Sequence, residues 1–98
     1  LAAVERYVEE LALWGCNTLS VWYDMHHYSG IDDPAARAMI QRLHDILRAA
    51  NRVGIDASLC TLANEAYDTS PVALRAEPFP HHYHREICPS RPGGWRPF

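Results

Sequence analysis

NTLSVWYD, residues 17–24, is the stretch on which the fold turns. It is rich in β-branched and aromatic residues. Apolar side chains fall on both alternations, and only Thr18 and Ser20 soften one face. A strand covered on both sides reads this way, and such strands belong to parallel sheets. Upstream, Val4, Tyr7, Val8, Leu11 and Ala12 recur at helical spacing within Ala2 to Trp14, while Glu5, Arg6, Glu9 and Glu10 fill the opposite face. Gly15 then stands where a helix wants a left-handed residue to end it.

The same order returns once. After the loop MHHYSGID, Asp33-Pro34 opens a second helix, with Asp as the N-cap and Pro at the first helical position. Ala36, Met39, Ile40, Leu43, Ile46, Leu47, Ala50 and Val53 form one stripe; Arg37, Gln41, Arg42, Asp45, Arg48 and Arg52 form the other. His44 lies between the two and reads as structural. Gly54 ends this helix, and Ile55 to Leu62, IDASLCTL, follows as a second short apolar strand. A helix between two strands makes them parallel neighbours joined by a right-handed crossover. Two strands cannot close a sheet or bury both its faces, so more units of the same kind are expected. The chain, which runs from Leu1 to Phe98, is therefore expected to be a fragment. The expected fold class is α/β: part of a (β/α)8 barrel, with an open doubly wound parallel sheet as the alternative. Neither strand is followed by GxGxxG or GxxxxGK[ST], which weighs against nucleotide-binding forms of that alternative.

Composition bounds the rest. The chain has 98 residues, 48% apolar and 21% charged, as soluble globular domains do. Its formal charge of −3 excludes a basic nucleic-acid binder, and its nine basic residues are all Arg. No apolar run approaches the roughly 18 residues of a membrane span, and no signal segment opens the chain. Cys16, Cys60 and Cys88 are far apart with no CxxC pair, which argues against a disulfide framework or a cysteine zinc knuckle. Cys16 and Cys60 sit in apolar segments and are expected as small buried side chains in a reducing, cytoplasmic compartment. Residues 1–67 hold the two α–β units. Residues 68–98 are expected as an irregular excursion, with one helical turn at Ala73 to Glu77, because six of the seven prolines lie from Pro71 onward.

Parallel folds carry their function at the carboxyl ends of the strands. That rule selects Asp24, His26 and His27 after the first strand, and Asn64, Glu65 and Tyr67 after the second. Asp24 reads as an acceptor for a substrate hydroxyl, as a general acid or base, or as a cap for its own loop. His26 and His27 are adjacent, so in extended backbone they point opposite ways and at most one of them faces a pocket. They lack a defined third ligand, so no metal is assigned to them. Glu65 follows Asn64, an Asn-Glu pair of the kind that barrel glycosidases carry with the Glu as acid. That role needs a raised pKa and a second carboxylate about 5–9 Å away. Trp22, Tyr23, Tyr28 and Tyr67 offer aromatic surface for sugar rings, although Trp22 reads first as wall packing. The run His81, His82, His84 with Cys88 invites a zinc reading, but one cysteine is a poor ligand set, and no cofactor is expected.

LALWGCNTLSVWYDMHHY, RAANRVGI, TLANEAY and ICPSRPGG together resemble the front part of glycoside hydrolase-type (β/α)8 domains, and within these the family 20, β-N-acetylhexosaminidase-like catalytic domains. The resemblance covers residues 2 to 67 well and the tail to Gly94 loosely. It implies that the parent protein, bacterial by this likeness, processes a carbohydrate. It also implies pocket-lining roles for Asp24 and His26, extending to Asn64 and Glu65. Family 20 enzymes carry an Asp-Glu pair on a later strand; no Asp-Glu dipeptide occurs here, so the catalytic pair is expected outside these residues. Two other readings stay open: a fragment of a metal-dependent barrel hydrolase or isomerase, and a non-catalytic interaction module with the Pro/His tail as its arm. The oligomeric state is not legible.

Overall fold

A computed structural model describes residues 2–77 and 86–96. The elements run α1 (Ala2–Leu13), β1 (Thr18–Trp22), a 3-10 turn at Met25–His27, α2 (Pro34–Arg52), β2 (Asp56–Cys60) and a second 3-10 turn at Val72–Leu74. β1 and β2 pair in parallel, Thr18 opposite Asp56 through Trp22 opposite Cys60. Among the described residues the chain is thus mixed α/β, with two helices and a two-stranded parallel sheet. It divides into two compact units, residues 1–23 with 38–60 and residues 24–37 with 61–98.

The first unit contains α1, the sheet and most of α2. Both glycine stops take the left-handed conformation, Gly15 at φ 87° and Gly54 at φ 81°. Each is followed by the same closing bond: Cys16 N–H donates to Leu11 C=O and Ile55 N–H to Ala50 C=O, both at 3.0 Å. The chain therefore leaves each helix in a defined direction, and Asp56 N–H then donates to Asn17 C=O at 2.8 Å, which sets the strand register. Val8, Ala50 and Ile55 form the buried centre, with Val4, Leu11, Ala12 and Leu19 packed against it. Arg52 reaches Glu5 at 3.2 Å, tying α2 to α1.

Several expectations change here. The strands are not covered on both sides among the described residues: burial alternates along β1, Trp22 is half exposed and Leu59 more so. Leu19 packs on the helices, while Thr18, Ser20 and Trp22 occupy the other face. Tyr7 is exposed, so the stripe of α1 narrows to Val4, Val8, Leu11 and Ala12. On α2 the fully covered positions in this unit are the small ones, Ala49 and Ala50; Leu43 and Ile46 are half-buried, and Ile40 is exposed, as is Val53 just past the helix. Small residues let the helix approach closely and leave the larger side chains at the margin. Cys16 is exposed as well, because it directly follows the glycine that turns the chain out of α1.

The second unit is built from the loops that leave the two strands. Asp33 caps α2 as its sequence implies: its carboxylate accepts from Ala35 N–H at 2.8 Å and from the N–H and hydroxyl of Ser29 at 3.0 and 2.9 Å. These donors hold its carboxyl below the ordinary range. Ala36, one turn into the helix, is fully buried. The helical turn expected at Ala73 to Glu77 lies slightly earlier, at Val72–Leu74. Short antiparallel bridges join Glu65 to Glu86 and Arg75 to Ile87, so part of the Pro-rich region folds back on residues 64–76. His81, His82 and His84 lie outside the described residues.

Candidate functional site

The loop after β1 and the loop after β2 are laced together within the second unit. Asp68 N–H donates to Tyr28 C=O at 3.0 Å, and the Thr69 hydroxyl donates to Ser29 C=O. At the centre of this lacing is Glu65, whose side chain is only 2% exposed. Its carboxylate accepts from Met25 N–H at 2.9 Å, from His26 N–H at 3.3 Å and from His26 Nδ1. A carboxylate satisfied in this way is the residue that shapes the Met25–His27 turn. Burial alone would push the Glu65 carboxyl up. The hydrogen bond from the His26 ring, those from the backbone N–H groups of Met25 and His26, and the charge of His26 outweigh it and hold the group below its usual value.

Three residues selected from the sequence meet here. Asp24, His26 and Glu65 offer donor atoms within 4.8 Å of one another. His27 lies beside Asp24, its Nε2 3.8 Å from the carboxylate, but its side chain is mostly exposed. The rings of His26 and His27 are tilted against each other with centroids 4.1 Å apart. Asn64 is exposed and contributes its backbone carbonyl, which accepts from Ile87 N–H. Tyr67 is half-buried, and its carbonyl accepts from Ser70 N–H and from the Arg75 guanidinium. Of the aromatic residues, Tyr23 is buried and Tyr28 half-buried.

A catalytic-acid role for Glu65 gains no support from its surroundings. A glycosidic acid must keep its proton near neutrality, which takes a raised pKa. Glu65 is depressed instead, and three donors already engage its carboxylate. It positions His26 and the turn. Sequence reading also passed over Arg75, whose guanidinium donates to the carbonyls of Tyr67, Asp68 and Ser70 and so holds the loop after β2 in shape. Nothing in its neighbourhood along the chain marks it, because its partners are backbone atoms. Ser29 and Thr69 escaped notice for the same reason.

An open groove of about 400 Å³ in the first unit, lined by Val4, Ala38, Gln41, Arg42, Asp45 and Ile46, shares no residue with this cluster. No helix among the described residues is long and apolar enough to cross a membrane. Set against protein-family models, curated proteins and solved structures, the chain matches none.

Proposed function

We propose that the loops after β1 and β2 form part of the substrate pocket of a carbohydrate-processing α/β enzyme of the glycoside hydrolase type. In this reading the residues contribute two helix–strand units to a (β/α)8 barrel. The observation that carries it is the Glu65–His26 pair. A buried carboxylate bound to Nδ1 fixes the ring and its tautomer, and leaves Nε2 as the nitrogen that meets a substrate hydroxyl. Asp24, on the same turn, supplies an ionisable acceptor beside it. Imidazole and carboxylate side by side suit a sugar, whose hydroxyls both donate and accept. Parallel folds place ligands on the loops that leave the carboxyl ends of their strands, and these three residues stand on such loops. Glu65 acts through His26 as a positioning residue, and the carboxylate pair that breaks the glycosidic bond lies on other strands.

The test is hydrolysis of a panel of nitrophenyl glycosides by the protein that carries these residues. Asp24→Ala and His26→Ala should each lower kcat/KM at least about tenfold per folded molecule. Unchanged turnover in both variants, with folding intact, removes the two residues from the pocket. Failure of the unsubstituted protein to cleave any glycoside removes the reaction class.

A further inference from the structure

Asp24, His26 and Glu65 attract a second reading, independent of any sugar. Their donor atoms lie within 4.8 Å of one another. Ligands bound to one ion at about 2.0–2.2 Å sit about 3–4 Å apart, so small side-chain rotations close the set on a single ion. The set is also held in place. Asp24 and His26 flank Met25 at the entry to one 3-10 turn, which fixes their spacing through the backbone. The Glu65 carboxylate is anchored by Met25 and His26 N–H, and a carboxylate with about four lone-pair sites keeps room for another partner. With the imidazole neutral, the two carboxylates carry two negative charges that one divalent cation balances. Burial falls from Glu65 through His26 to Asp24, whose side chain is 37% exposed, so water reaches the cluster on the Asp24 side.

We propose that Asp24, His26 and Glu65 bind one divalent transition-metal ion of the zinc or manganese class, with one imidazole nitrogen and two carboxylate oxygens as protein ligands and an open position toward solvent. The nitrogen ligand favours these ions over magnesium and calcium, which prefer oxygen alone. The hydrogen bond between His26 Nδ1 and Glu65 is the metal-free form of the pair. On binding, the ion takes the place of the His26 Nδ1 proton, and the ring changes tautomer: the Nδ1 proton leaves to solvent and Nε2 takes one up, so the bound imidazole stays neutral.

Zinc alone, added to the protein in a calorimeter with no sugar present, tests this. His81, His82 and His84 are a rival zinc sink, so the titration is run on the natural chain and on a variant with all three changed to Ala. One ion per chain should bind in both, and Asp24→Asn and His26→Ala should each weaken it at least tenfold. Magnesium should bind far more weakly than zinc. In the unsubstituted protein, substoichiometric Mn²⁺ should broaden the amide signals of Met25, His26 and Glu65 before the others, a readout that needs no variant to fold. Zinc affinity unchanged in both cluster variants, binding confined to chains with the tail histidines, or broadening that begins elsewhere would each overturn the site. Glycoside cleavage plays no part in these readouts, so the ion site and the carbohydrate reading fail separately.

Discussion

Replacing Glu65 by Gln changes one buried oxygen to an amide nitrogen and leaves the shape alone. Three donors now converge on that carboxylate: Met25 N–H at 2.9 Å, His26 N–H at 3.3 Å and the His26 ring. Gln retains one acceptor oxygen, so at least one of the three must face an NH2 group, donor against donor. A hydrogen bond to a charged group is worth about 1.5–3 kcal/mol, and a buried donor left unmatched costs its desolvation besides. The side chain is 2% exposed, so solvent does little to relieve the mismatch. The expected loss is about 2–4 kcal/mol. In a domain of this size that lowers Tm by about 10 °C or more. Melting by circular dichroism measures the total, and hydrogen exchange at Met25 and His26 places it, since those two amides should lose protection before others in the loop. Glu10→Gln on the exposed face of α1 provides the baseline. The folded carboxyl lies below its ordinary value of about 4.3, so its contribution is full above that pH and disappears as pH falls through the depressed value. The gap between the two proteins should therefore narrow as pH falls through that depressed value. If Glu65→Gln melts within about 2 °C of the parent and both amides exchange at their former rates, Glu65 does not hold the turn.

Two further outcomes follow from the same structure. Ile55 is buried in the small centre with Val8 and Ala50, and Ile55→Ala should destabilise the first unit by about 2–5 kcal/mol, read from urea unfolding; a loss under about 0.5 kcal/mol would mean that this centre does not hold the helices to the sheet. Asp33→Ala should lower Tm at neutral pH and have a shrinking effect as pH falls through the depressed Asp33 value, because a protonated Asp33 no longer accepts well from Ser29 and Ala35; an effect independent of pH would mean that the cap acts without its charge.

Much of the local structure was legible in the chain. Both helices, the caps at Gly15, Asp33 and Gly54, and the parallel pairing of the two strands depend on spacing and on backbone chemistry that a few neighbouring residues specify. Those signals are local, and the structure places them within one or two residues of where the sequence does. The sequence also selected Asp24, His26 and Glu65, because residues just past two apolar strands are where parallel folds expose polar groups. Their roles could not be read the same way. Glu65 looked like an acid because its neighbour is Asn64, yet the donors on its carboxylate are Met25 and His26, some forty positions earlier in the chain. The exposure of Tyr7, Trp22 and Cys16 likewise depended on what packs beside them, which hydrophobic character does not reveal. Arg75 was invisible because it binds carbonyls, and every residue has one. Periodicity and capping belong to the chain itself; burial, hydrogen-bond partners and pKa arise only when distant segments meet.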